Sequence, residues 1–303
     1  MKLSFIIPSV DRNQELQECI ASIENAYNGR KDISIEILVI VQTQPTTHHI
    51  QVKYPENITF YNINRRGLSI ARNYGIKECS GDYLIFLDDD AAIATTFIDV
   101  LLKAIDTRKA DAFCGRILDP VSKVPFTRLF VNTHAMMLRR PDYRYFMGSA
   151  HVLNRKLLER IGCYDERFGA GAKFPGAEES DVFFRLKACE ESVLYFPELV
   201  VFHRIPEITP PHKVYDYSYA IGAMLAKHCL LDKPHFLIYL WILVDVAVRA
   251  CIRIIQHASF SLLGRTGTRR QHYQLVLNGL LKGFVEFATR EEAVHTRETT
   301  HRI

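Results

Sequence analysis

The first part of the chain alternates short, almost wholly apolar runs with stretches whose apolar residues recur every three to four positions. No other feature limits its fold as tightly. LSFIIP near the start, SIEILVIV, NITFYNI, YLIFL and ADAFCGRI read as strands. Between them NQELQECIASIENAY, LSIARNYGIKEC and ATTFIDVLLKAID read as helices, with Leu16, Ile20 and Ile23 marking the inward face of the first. Strands without a polar face, separated by helices, belong in a mainly parallel central sheet with flanking helices, so the expected class is α/β. In such sheets ligands gather at the carboxyl ends of the strands.

Further along, from about residue 116 to 150, the pattern loosens. It tightens again into the helix RKLLERIG, a loop punctuated by Gly169, Gly171 and Gly176, the helix EESDVFFRLKACE and the strand SVLYFPELVVFHR. Prolines 206, 210 and 211 read as a linker, and the rest of the chain is helical and rich in long apolar residues. The expected division is therefore a catalytic domain over 1–205 and a C-terminal helical extension over 206–303.

The net charge of +4 is modest, and no basic run is interleaved with aromatics, so nucleic acid is not an expected partner. Seven scattered cysteines without a C-x-x-C pair fit a reduced, cytoplasmic protein rather than a disulfide framework or a zinc site. The opening MKLSFIIPSVDR has too short an apolar run for a signal peptide and reads as a strand.

YLIFL runs directly into Asp88, Asp89 and Asp90. Three like charges closing a core strand are unfavourable without a positive partner. A single aspartate there would start a turn or cap a helix. Three in succession, at the ligand edge of a sheet, point instead to a hard cation, Mn²⁺ or Mg²⁺, with charge left over for a phosphate. A second acidic group, Glu178, Glu179 and Asp181, opens a helix, where the dipole favours carboxylates. Asp181 is spaced to pair with Arg185, which leaves Glu178 and Glu179 as candidates for a general base. Arg65, Arg66, Gly67 and Arg72 form a basic segment at a helix start, suited to an anionic ligand. His203, at a strand end, reads alone as structural.

Taken in order, these segments resemble the family 2 glycosyltransferases, whose nucleotide-diphospho-sugar transferase fold is called GT-A. FIIPSVDRNQELQECIASI is similar to the family's first strand and helix, RGLSIARNYGI to its glycine-then-Ala-Arg-Asn segment, and FLDDDA to its Asp-x-Asp motif. GAEESDVFFRL is similar to its Glu-Asp motif and FHR to a late histidine that can reach the metal. The resemblance covers residues 1–205 and implies a metal-dependent inverting transfer from a nucleotide-diphosphate sugar donor to a hydroxyl of a glycan or lipid-linked acceptor, in surface polysaccharide or glycolipid synthesis. It assigns Pro8, Ser9, Arg12, Gly67, Arg72, Asp88 and Asp89 to the donor, and Asp88, Asp90 and His203 to the metal. Glu179 stands where the family has its catalytic aspartate, with Glu178 and Asp181 as alternatives; Gln42 stands where many members carry a base-reading aspartate. A nicotinamide-binding fold is disfavoured by the lack of a G-x-G-x-x-G turn. A nucleotidyltransferase and a non-catalytic sugar-nucleotide-binding scaffold are the rival readings.

HFLIYLWILVDVAVRACIRIIQHASF is the most apolar segment, interrupted by Asp245, Arg249 and Arg253 at intervals of four. With the basic GRTGTRRQH after it, this segment is expected either to lie in a membrane interface, on the cytoplasmic face, or to pack on the catalytic domain or a second copy.

Overall fold

The computed structural model describes residues 1–10, 13–42, 55–107, 110–206, 208–261 and 268–300. They form two compact units: Met1–Glu166 with Glu179–Ile205, and Arg167–Glu178 with Pro206–Ile303.

The first unit is built on a nine-stranded sheet. Its elements are β1 (Lys2–Ser9), α1 (Asn13–Tyr27), β2 (Ser34–Val41), β3 (Ile58–Asn62), α2 (Leu68–Glu78), β4 (Tyr83–Phe86), β5 (Ala91–Ile93) and α3 (Phe97–Thr107). After these come β6 (Ala112–Leu118), β7 (Met136–Met137), β8 (His151–Asn154), α4 (Arg155–Ile161), α5 (Glu178–Ala188) and β9 (Val193–His203). The strand order is β3-β2-β1-β4-β8-β6-β9-β5, with β7 also on β9. β1 to β4, β6 and β9 run one way, while β5, β7 and β8 run against them. The expected α/β class with a mostly parallel sheet is thus observed. The antiparallel members are all short, of four residues or fewer, and lie where apolar periodicity has little room to register.

The core arises from the apolar strands. Leu3, Phe5, Ile6 and Ile7 of β1 and Leu84, Ile85 and Phe86 of β4 have no solvent exposure, since both faces of these central strands are covered. The parallel directions bring the carboxyl ends of β1, β2, β4 and β9 to one edge. Ser9, Gln42, Asp88 to Asp90 and His203 therefore share that edge although they are far apart in sequence.

The second unit contains α6 (Pro211–Leu231), α7 (Phe236–Ser261) and α8 (Thr268–Thr300). Two of the three prolines that read as a linker begin α6: Pro210 precedes its first turn and Pro211 lies inside it, where a missing N–H carries no penalty. α6 and α8 touch backbone to backbone: a Cβ on Gly222 would come within 2.0 Å of the Leu280 carbonyl oxygen, and one on Gly283 would meet that of Tyr219. The glycine-rich loop 167–178 belongs to this unit, where Phe168 stacks on Phe174 at 5.1 Å, both rings lie against Phe287, and Lys173 pairs with Glu286 at 3.1 Å.

Candidate active site

The three aspartates leave β4 in a tight turn that enters β5, and the turn sends their carboxylates to different places. Asp89 is turned inward, 5% exposed, and accepts a hydrogen bond from Ser9 Oγ at 2.7 Å. That bond ties the turn to the end of β1. Ser9 is itself only 2% exposed, so two residues expected at the donor are engaged with each other. Asp88 and Asp90, the outer pair, are each 30% exposed.

His203 reaches the turn because β5 pairs antiparallel with β9 in the register Ala91↔His203. Its Nε2 lies 3.2 Å from Asp90 Oδ1. Its Nδ1 lies 2.9 Å from the Arg204 carbonyl, so Nδ1–H donates there and Nε2 carries the lone pair on the side of the turn. When protonated, the ring donates Nε2–H to Asp90, and that hydrogen bond raises the His203 pKa, against the opposing effect of burial. One ligand atom from each of Asp88, Asp90 and His203 lies within 4.8 Å of the others. Two carboxylate oxygens and one imidazole nitrogen, half-exposed, with the histidine tautomer fixed by a backbone carbonyl, are a donor set that fits a divalent cation such as Mn²⁺ or Mg²⁺.

The positive charge that the sequence demanded is also supplied by the chain. Arg72, in the middle of α2, has no solvent exposure. Its Nη2 lies 3.4 Å from Asp88 Oδ1, and its Nη1 donates to Glu179 Oε1 at 2.9 Å. The guanidinium also lies over the Tyr164 ring, 5.3 Å from its centroid. One buried arginine thus couples the aspartate turn to α5. Ser149, whose Oγ donates to Asp88 Oδ2 at 2.5 Å, holds the other side of that carboxylate.

The acidic cluster at the start of α5 separates by environment. Asp181 is fully buried and bound to Arg185 at 3.0 Å, and Arg185 Nη1 also donates to the carbonyls of Ile161 and Gly162. That is the helix-face pair the spacing predicts. Glu178 is 5% exposed. Glu179 is the member that shares Arg72 with Asp88.

Gln42 and Gly67 also meet. Gly67 adopts φ +143°, a conformation that favours glycine, and its N–H donates to Gln42 Oε1 at 2.7 Å, anchoring the start of α2 to the end of β2. Pro8 lies one residue before Ser9 in β1. Arg65 is exposed and pairs with Glu166 at 2.9 Å. Arg12 lies outside the described residues.

Behind Arg72 is a layer the sequence does not announce. His151 is fully buried, stacks on Phe86 with centroids 4.8 Å apart, donates from Nδ1 to the Gly148 carbonyl at 2.7 Å, and accepts at Nε2 from Tyr164 O–H at 2.5 Å. Burial, reinforced by the nearby Arg72 charge, pulls its pKa down to about 3. Asn73 clamps Tyr164 by accepting from its N–H at 2.8 Å and donating to its carbonyl at 2.9 Å. Ser149, His151 and Tyr164 come from the irregular segment, β8 and the loop after α4, and no spacing rule marks them.

Residues 4–162 match the family described as glycosyl transferase family 2. Over 147 residues the chain is 30% identical to a dolichol-phosphate mannosyltransferase of Pyrococcus furiosus, covering 46% of this chain and 41% of that one. Over 111 residues it is 32% identical to the minor teichoic acid biosynthesis protein GgaB of Bacillus subtilis, covering 35% and 12%. The chain thus spans well under two thirds of the length of these curated relatives. Among solved structures, the mannosyltransferase PcManGT from Pyrobaculum calidifontis, in complex with GDP-Man and Mn²⁺, is similar with a TM-score of 0.61 at 15% identity, covering 94% of this chain and 86% of that one. That likeness gives the fold, GT-A.

Proposed function

The chain belongs to glycosyl transferase family 2, and from that premise we propose that it is an inverting glycosyltransferase which moves a sugar from a nucleotide-diphosphate donor to a hydroxyl of a glycan or lipid-linked acceptor. One observation carries this reading: Asp88, Asp90 and His203 converge at the same sheet edge as Glu179, with buried Arg72 joining the two groups. A divalent cation bound by Asp88, Asp90 and His203 would offset charge on the donor diphosphate.

The remaining steps fall to the chain. Arg72 and Ser149 fix the two oxygens of Asp88, so that this carboxylate meets the donor in one orientation. Glu179, oriented by the same guanidinium, takes the proton from the acceptor hydroxyl as its oxygen attacks the anomeric carbon opposite the leaving diphosphate. The new glycosidic bond forms as the bond to the diphosphate breaks, which inverts the anomeric centre. Lipid-linked and polysaccharide acceptors are favoured by the names of the relatives, one a dolichol-phosphate mannosyltransferase and another a teichoic acid biosynthesis protein. A reducing, cytoplasmic setting is supported by the seven cysteines, all free.

Thermal stability measured against UDP-, GDP-, CMP- and dTDP-linked sugars, each with and without Mn²⁺, tests the reading. A donor present at ~100 times its dissociation constant should add about 2.7 kcal/mol. Stabilisation by one nucleotide class, only with the metal, is expected. Stabilisation by none of them would remove the donor from the proposal.

A further inference from the structure

α7 has two apolar faces. Tyr239, Ile242, Leu243 and Ala250 are buried within the chain. Leu237, Trp241, Val244, Val248, Ile252 and Ile255 are instead between 48% and 72% exposed. Their intervals of three and four residues place these six on one stripe. The stripe runs for about 27 Å along the helix at 1.5 Å per residue. An exposed apolar surface of this extent and continuity marks an interaction site.

The charges around it select the partner. From Val246 to Val285 the sequence contains no carboxylate, but it contains Arg249, Arg253, Arg265, Arg269, Arg270 and Lys282. The acid just before this stretch, Asp245, is paired with Arg249 at 2.8 Å. Arg253, Arg269 and Arg270 are exposed. His257, near the end of α7, stacks on Tyr273 in α8 at 5.9 Å, which brings Arg269 and Arg270 to the same end of the stripe as Arg253. Two copies meeting on this face would set like charge against like, because a two-fold contact joins a patch to itself. No described helix is long and apolar enough to cross a membrane.

We propose that this face of α7 docks on an anionic lipid bilayer surface, with the stripe at the boundary of headgroups and acyl chains and the arginines among the headgroups. Each exposed cation near an anionic surface strengthens such binding about fivefold at physiological salt, and added salt screens the effect.

Trp241 is the only tryptophan in the chain and lies on the stripe, so intrinsic fluorescence of the full-length protein reports directly on docking. Emission and co-sedimentation would be measured with vesicles of phosphatidylcholine alone and with about a third phosphatidylglycerol. The expected result is a blue shift and co-sedimentation with the anionic vesicles, largely reversed by high salt. Val248→Glu should weaken binding about tenfold or more by placing a charge at the apolar boundary, and Arg253→Ala by about fivefold. Both positions are exposed, and unchanged melting temperatures would exclude misfolding.

The wild-type arms decide the matter even if a variant fails to fold. The absence of a shift on anionic vesicles, or an equal shift on neutral ones, overturns the proposal. So does a shift that tracks protein concentration without lipid, together with a dimer mass in sedimentation, which would assign the face to a second copy. None of these readouts depends on sugar transfer, so the docking and the proposed reaction can fail separately.

Discussion

At the scale of single residues, Arg72 organises the site by joining Asp88 to Glu179, and two of the site's carboxylates, Glu179 and Asp90, give separable predictions. Glu179→Gln keeps the shape of the side chain but removes the proposed proton acceptor. Turnover should fall about 10²–10⁴-fold with donor binding retained, as measured by steady-state transfer alongside donor titration. Near wild-type turnover would move the base elsewhere on α5. Asp90→Asn removes one charge from the proposed cation cluster and the partner of His203. Its expected signature is the reverse, a loss of metal-dependent donor binding in the thermal assay, and retained metal dependence would count against the cluster. At this scale the sequence was legible where chemistry comes in runs. The aspartate triplet, Arg72 and Glu179 could all be picked out, and the resemblance singled out the outer pair, Asp88 and Asp90, for the cation; the burial of Asp89 could not be read. The inward turn of Asp89 toward Ser9 depends on β1 and β4 lying side by side, a pairing that no local pattern encodes.

At the scale of elements, α6 and α8 pack at close range, because Gly222, Gly279 and Gly283 remove the side chains that would hold the helices apart. Gly283→Ala puts a methyl group against the Tyr219 carbonyl, a backbone atom that can yield only by moving the helix. Overpacking of this kind costs about 1–3 kcal/mol, and the fall in stability should appear in denaturant unfolding. Gly29, whose added Cβ would meet nothing within 4 Å, serves as the control for open space, although its positive φ adds some strain of its own. The long helices and the apolar strands were readable from periodicity. β5, β7 and β8 were not, because strands this short are defined by the neighbours they pair with rather than by their own composition.

At the scale of the whole molecule, stability should depend on pH through His151. Folding holds this imidazole neutral, with a pKa of about 3, while the unfolded chain protonates it near the ordinary value of 6.5. The unfolded state therefore binds more protons below that value. The stabilisation is complete above pH 6.5 and is lost progressively as pH falls toward 3. By pH 5 the loss reaches about 2 kcal/mol. Melting temperatures at pH 7 and pH 5 should differ accordingly, and His151→Gln should narrow that difference even if it lowers both values. An unchanged difference would assign the acid sensitivity to other groups.

The register Ala91↔His203 has a further consequence for how the chain is made. It joins the strand just after the aspartate turn to the end of the last strand of the sheet, so the proposed cation cluster of Asp88, Asp90 and His203 is incomplete until β9 has been synthesised and has docked. A growing chain that stops short of residue 203 offers only carboxylates to a cation, and during refolding the full affinity for metal should arrive with the final strand rather than with the turn that carries the aspartates.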